Sequence, residues 1–280
     1  MGPELNKPPT SAGYDAAQLA LVRAELLELA SILGDLLAEM VVVGGLVPSL
    51  LIDSAKAREP HVGTRDLDLG LELAILDTRR YQALPERLRR HGFEPDVNEE
   101  GNQTRQRWRH RGSGATVDFL MAPSDGIRKA GSLQSLESDL AAVVTPGLGL
   151  AFRDRQWVRL EGRTLTGEAV TREIPVCGVG AFVVLKALAL RGRGENKDAY
   201  DLWYVLANYG RSVEQVAESL SALIDDPYAQ AAVVDLREDF SGIDSIGPSR
   251  AARFIGRNDD EFKADVAGLV ARLLLQLERR

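Results

Sequence analysis

One cysteine, Cys177, stands in a chain of 280 residues, so no disulfide can close within it, which suits a reducing compartment. Histidine is nearly as scarce, at three residues, and no His/Cys spacing of a zinc site occurs. A Walker phosphate loop and a nucleophile elbow are both missing. So are long apolar runs. The longest, residues 40–52, is broken by Gly44, Gly45, Pro48 and Ser49, far short of the roughly 20 residues that span a bilayer. The Pro/Gly/Ser-rich start, with Glu4 and Lys7, does not resemble the apolar core of a signal peptide. These absences lead to the expectation of a soluble, cytoplasmic protein with no membrane partner. Positive charge is also in deficit: Lys and Arg number 34 against 41 Asp and Glu, a net charge of −7 with a pI near 5.2. Bulk charge therefore does not favour coating nucleic acid, although a local basic patch stays open.

What is present is ordinary globular material, 45% hydrophobic and 27% charged, long enough to bury roughly 75% of its unfolded surface. A flexible tail is expected over residues 1–14. Apolar residues at three- and four-residue steps, from Leu19 through Val22, Leu26 and Leu29 to Leu37, predict a helix over 15–40. Val41, Val42 and Val43 form a short β-branched run that ends at Gly44-Gly45, and helical spacing resumes over 46–53. Alternation predicts a strand over 66–73, and helical character follows over 79–91. Two strands, 103–110 and 115–121, are expected to pair through Arg111-Gly112-Ser113-Gly114. More strand is expected in 145–177. From residue 178 the pattern turns helical, with helices predicted over 181–190, 197–208, 213–224, 228–236 and 259–277. The expected fold class is thus α/β (α+β), with a mixed-sheet core over 15–177 and a helical domain over 178–280.

The chemistry-bearing residues concentrate in a few places. Asp66 and Asp68 stand two apart on one strand and so share a face. Carboxylates that close repel and raise one pKa unless a cation lies between them. A hard divalent cation such as Mg²⁺ is the natural occupant. Asp118, in Thr116-Val117-Asp118-Phe119-Leu120, is placed to complete a three-carboxylate cluster of the kind that holds two metals about 4 Å apart in phosphoryl transfer. Gly44-Gly45, between a strand and a helix, allows backbone N–H groups to approach a phosphate. Taken singly, each feature has a plainer reading: an ordinary turn for the glycines, and a solvated strand face for Asp66 and Asp68.

Together, Gly44-Gly45, Thr64-Arg65-Asp66-Leu67-Asp68 and Val117-Asp118-Phe119-Leu120 resemble the nucleotidyltransferase fold of the DNA polymerase β superfamily. Lys186-Ala187-Leu188-Ala189-Leu190-Arg191, followed by Asn196-Lys197-Asp198-Ala199-Tyr200-Asp201-Leu202, resembles the second signature of the AbiEii-type toxin nucleotidyltransferases, a family that includes the MenT-type toxins. The resemblance covers roughly residues 40–206. It implies that Asp66, Asp68 and Asp118 hold Mg²⁺ at a two-metal site and that Asp118 helps activate an acceptor hydroxyl. It also implies that Gly44, Gly45 and Thr64 line the triphosphate of an NTP, and that Lys186 neutralises phosphate charge. Lys197, Asp198 and Asp201 would shape the nucleotide side of a cleft completed by the helical domain. The implied activity is transfer of a nucleoside monophosphate to RNA, at the tRNA 3′ end, as the toxin of a toxin–antitoxin pair with a cognate antitoxin protein. A small-molecule or protein acceptor, or a non-catalytic nucleotide-binding module, remains an alternative.

Local chemistry leaves the second signature open by itself. Lys186 in an apolar helix can snorkel its ammonium to water, and Lys197 with Asp201 can form a surface pair worth about 0.3–0.5 kcal/mol. Asp198 and Asp201 can simply be a solvated helix start. One further feature is Arg105, Arg107, Arg109 and Arg111, which alternate along a strand to give one basic face. That stripe suits an RNA backbone and equally suits a charged edge that discourages aggregation. Trp108 falls on the opposite face. His61 and His91 read as loop and helix-end residues.

Overall fold

The computed structural model describes residues 8–72, 83–124 and 129–280. It is an α/β structure with a mixed sheet and C-terminal helices, and it divides into two compact units. The first comprises Asp15–Leu46 and Gly63–Cys177; the second comprises Pro8–Tyr14, Val47–Val62 and Gly178–Arg280. Part of the predicted tail and of the helix expected over 79–91 lies outside the described residues.

In the first unit, α1 (Ala16–Leu33) starts where the Asp15 carboxylate accepts the Gln18 backbone N–H at 2.7 Å, filling one of the open donors of a helix N-terminus. The helix ends at Gly34, and a 3-10 segment (Gly34–Glu39) leads into β1 (Met40–Val43), so the expected single helix over 15–40 is split. Val22, Leu26, Leu29 and Leu33 are wholly buried along one face of α1, each such side chain contributing about 1.5–3 kcal/mol relative to exposure. A short helix, α2 (Val47–Leu51), belongs to the second unit. Back in the first unit come β2 (Leu67–Leu71), α3 (Leu84–Arg90), β3 (Phe93–Val97), β4 (Gln103–His110), β5 (Thr116–Met121), β6 (Leu133–Ser135) and β7 (Ala141–Val144). Then follow α4 (Leu148–Arg153), β8 (Arg155–Arg163) and β9 (Ala169–Cys177).

The main sheet path runs β3-β4-β5-β2-β1-β9-β8, with β7 beside the far end of β5 and β6 beside β7. β5 is antiparallel to β4 over its first residues and parallel to β2 along its length. β1 lies between β2, antiparallel, and β9, parallel, and all four of its residues are buried. This central position explains its unbroken β-branched run. The predicted polar face of β2 is only partly polar: Gly70 is buried, with Val41 and Leu148 so close that a Cβ there would sit 3.0 Å from Val41 Cγ1.

In the second unit, α5 (Val179–Arg193), α6 (Asn196–Asn208), α7 (Val213–Ser221), α8 (Pro227–Asp239), α9 (Ile246–Ile255) and α10 (Asp260–Glu278) pack together. α6 is buried on every side from Lys197 to Leu206. Its aromatic residues hold the unit: Tyr200 lies 5.0 Å from Phe254, and Trp203 lies 4.8 Å from Phe262, ring centre to ring centre. Among the described residues no helix is long and apolar enough to cross a membrane.

Candidate functional site

Strand register assembles the acidic residues of the first unit. Asp68 of β2 stands opposite Asp118 of β5, and Asp118 stands opposite Arg107 of β4, so all three side chains share one face of three adjacent strands. Asp66 lies one residue before β2, with its Oδ1 accepting the Thr64 hydroxyl at 3.0 Å. Gly44 stands directly beyond β1, whose Val43 pairs with Asp68. Its φ of +73° suits glycine, and a Cβ at this position would collide with the Asp68 carboxylate. The glycine therefore makes room for an acidic side chain. The turn here is a 3-10 segment (Gly44–Leu46), and α2 after it has only five residues. That is a weaker phosphate cradle than a strand feeding a long helix.

Arg107 changes the reading of both the acidic cluster and the basic stripe. Its Nε donates to Asp118 Oδ1 at 2.8 Å, its Nη2 pairs closely with Asp118 Oδ2, and the same Nη2 lies 3.6 Å from Asp66 Oδ2. Burial works against the charged guanidinium, but Asp118, Asp66 and Asp68 outweigh it and raise its pKa. The other stripe arginines are also engaged within the chain. Arg105 donates to the Ser135 hydroxyl at 2.8 Å and the Glu137 carbonyl at 2.7 Å. Arg109 pairs with the buried Asp96 at 2.7 Å, and Arg111 with Glu94 at 2.9 Å. Each arginine of the stripe is thus paired within the chain, while Arg109 and Arg111 stay 44% and 60% exposed. Trp108, on the opposite face, is wholly buried and cannot stack a base from solvent.

Glu25, which sequence reasoning passed over, completes the first cluster. It is fully buried on α1, and neither carboxylate oxygen has a hydrogen-bond partner among the described residues. Burial first, then the charges of Asp66 and Asp118, push its pKa well above the ordinary carboxylate range. Its signal was positional: Glu25 stands three residues after Val22 and four before Leu29, on the buried side of an amphipathic helix.

The donor chemistry of Asp66, Asp68 and Asp118 fits Mg²⁺, a hard ion that takes oxygen ligands. The charges of Asp66, Asp68 and Asp118 all act on Arg107, and those of Asp66 and Asp118 also act on Glu25. Among the described residues, however, no group of three or more His, Cys, Asp and Glu side chains is arranged to hold a metal ion. The structure places the cationic Arg107 against Asp118 and Asp66.

The second unit holds its own cluster. Lys186 Nζ lies 2.9 Å from Asp198 Oδ1 and 2.7 Å from Asp201 Oδ2. Lys197 Nζ lies 2.8 Å from Asp201 Oδ1, and Arg193 pairs with both Asp198 oxygens at 2.8 and 2.9 Å. Lys186 is 6% exposed and Asp201 fully buried, so neither the snorkelling lysine nor the solvated helix start describes them. For Lys186, burial opposes the charge, yet Asp198 and Asp201 prevail and raise its pKa; for Lys197 burial prevails and lowers it. Asp198 and Asp201 are held well below the usual carboxylate range: burial opposes this, and the lysines and Arg193 around them overcome it.

His61 and Arg193 are the members that sequence reasoning missed. Arg193 carried a faint signal, since Gly194, with φ +72°, ends α5 just before α6 begins. His61 carried none. Its Nε2 meets Asp201 Oδ1 at 2.9 Å, and its ring packs 4.7 Å from Tyr204 and 5.4 Å from Tyr200. Burial, with help from Lys197 and Lys186, outweighs Asp201 and lowers its pKa from 6.5 to about 4. Between those values the unfolded chain binds a proton that the folded chain refuses. This contribution to stability is therefore complete above pH 6.5 and shrinks as pH falls toward 4, by about 1.4 kcal/mol per unit. Urea unfolding at pH 7 and pH 5 should show that loss, and His61→Gln should flatten it. An equal slope in the variant assigns the effect elsewhere.

Comparison with protein-family models and with curated proteins gave no match to this chain.

Proposed function

We propose that this chain is a Mg²⁺-dependent nucleotidyltransferase that moves a nucleoside monophosphate from an NTP to RNA, at the tRNA 3′ end, and acts as the toxin of a toxin–antitoxin pair. The observation that carries the chemistry is the register-paired Asp68 and Asp118, with Asp66 beside them and Gly44 clearing the space that the Asp68 carboxylate occupies. Asp66, Asp68 and Asp118 would hold the metal. When bound, Mg²⁺ supplies charge compensation for phosphoryl oxygens and a lower pKa for the attacking hydroxyl. Asp118, once separated from Arg107, has a carboxylate able to accept the acceptor's proton. Thr64 holds Asp66 in place through its hydroxyl. In the second unit, three cations (Lys186, Arg193 and Lys197) face two carboxylates, Asp198 and Asp201, with His61 neutral at pH 7. Lys186, Arg193 and Lys197 gather there around Asp198 and Asp201, and cations so grouped suit a phosphate group.

The RNA acceptor and the antitoxin partner rest on the family resemblance. The internal pairing of Arg105, Arg107, Arg109 and Arg111 favours a second reading, in which the acceptor is a small molecule or a protein hydroxyl. Incubation with each α-labelled NTP, Mg²⁺ and total tRNA should place label on RNA. Label on added aminoglycoside-like polyols or on protein instead would select the second reading, and no transfer with any acceptor would remove the enzymatic one.

A further inference from the structure

We propose that Arg107 is a built-in competitor for the metal, a side chain that fills the cation place of the carboxylate cluster and must leave before a divalent ion can bind. This rests on the metal-site reading above. Four observations support it. Register puts Arg107 on the same sheet face as Asp118 and Asp68. The guanidinium engages both oxygens of Asp118 and reaches within 3.6 Å of Asp66, so it binds two of the three carboxylates assigned to the metal. The Arg107 side chain is only 12% exposed, with Asp66 and Asp118 at 11% and 13%, so the pairing is a desolvated one rather than a passing surface contact. Finally, the buried Glu25 carboxyl lies close enough for the charges of Asp66 and Asp118 to add to burial in raising its pKa, so negative charge is concentrated at this place.

A bidentate guanidinium and a divalent ion want the same carboxylate oxygens. They cannot both have Asp118 and Asp66 at full strength. Occupancy by metal therefore requires the Arg107 side chain to rotate away from the acids, which leaves a charged, planar donor next to the site and available to an anionic group. The device would keep the cluster neutralised at low divalent-ion concentration and make metal binding weaker than three carboxylates alone would give.

The test is Mn²⁺ binding to the full chain, followed by calorimetry and by the electron paramagnetic resonance of free Mn²⁺, with no nucleotide present. Arg107→Gln should bind Mn²⁺ at least tenfold more tightly than the parent, and Arg107→Lys, which keeps the charge without the fork, should fall between them. Equal or weaker binding by a folded Arg107→Gln overturns the proposal while leaving the metal site standing. Absence of binding in all three proteins overturns the metal site itself. Because Arg107→Gln takes the guanidinium away from mostly buried acids and can unfold, a second measurement uses the parent protein. The Arg107 Nε–H resonance, assigned by its loss in Arg107→Lys, should move to the position of an unpaired arginine as Mg²⁺ saturates the site. A resonance that stays put at calorimetric saturation overturns the proposal.

Discussion

Asp68→Ala should cut nucleotidyl transfer by at least about a thousandfold, roughly 4 kcal/mol of activation free energy, with the protein still folded. The first part follows from the residue's place: it shares a sheet face with Asp118, and a glycine is kept at position 44 to leave its carboxylate room. The second follows from charge. The close pairs of Arg107 are with Asp118 and Asp66, and both stay in place when Asp68 is removed. Removing one of the neighbouring carboxylates also lessens their mutual repulsion, so Asp68→Ala should cost less stability than Asp118→Ala. Asp118→Ala makes the contrast. It takes both oxygens away from a mostly buried guanidinium, and losing one partner of such a pair costs about 3–5 kcal/mol. Label transfer to acceptor, measured beside thermal unfolding, separates the two. Asp68→Ala activity within tenfold of the parent would remove the carboxylate cluster from the reaction.

This contrast could not have been drawn from the sequence, although much around it could. The alternation in β2, β4 and β5 was legible because each strand has a buried and a polar side, and periodicity reports that directly. That Asp66 and Asp68 share a face was legible for the same reason, whereas Asp118 was joined to them through the family resemblance. Register was not. Whether Arg107 meets Asp118, or projects to solvent with Arg105 and Arg109, depends on which residues of β4 and β5 stand opposite, and a strand's own pattern does not specify its neighbour. β3 was missed because Pro95 and an exposed Val97 disguise a strand, which an edge position tolerates. α9 was missed because it opens on Ile246-Gly247-Pro248, and proline is acceptable only in the first turn. In the second unit, the i to i+4 pair of Lys197 and Asp201 was visible, yet it read as a surface feature worth tenths of a kilocalorie. Its weight comes from Lys186, twelve positions before Asp198 along the chain, and from His61, 140 positions before Asp201.

Asp201→Ala should therefore be the most destabilising single change in the second unit, by about 3–5 kcal/mol. Asp201 is fully buried and is met by Lys186 at 2.7 Å, Lys197 at 2.8 Å and His61 at 2.9 Å. Without it, the buried Lys186 and Lys197 ammonium groups lose a carboxylate that each of them meets directly. Against a total stability of about 5–15 kcal/mol, such a loss lowers the melting temperature by about 10 °C. Lys186→Met is the informative partner. It keeps Arg193 on Asp198 and Lys197 on Asp201, so it should cost less than Asp201→Ala while weakening NTP binding seen by calorimetry. The pH dependence has a definite sign. The folded state holds the Asp201 pKa well below its ordinary value, so its contribution is complete above that ordinary value, near 4, and disappears as pH falls through the folded one. The stability gap between parent and Asp201→Ala should accordingly be largest at neutral pH and narrow steadily below pH 4. If Lys186→Met leaves NTP binding unchanged, Lys186 has no part in holding a phosphate and the cluster is structural.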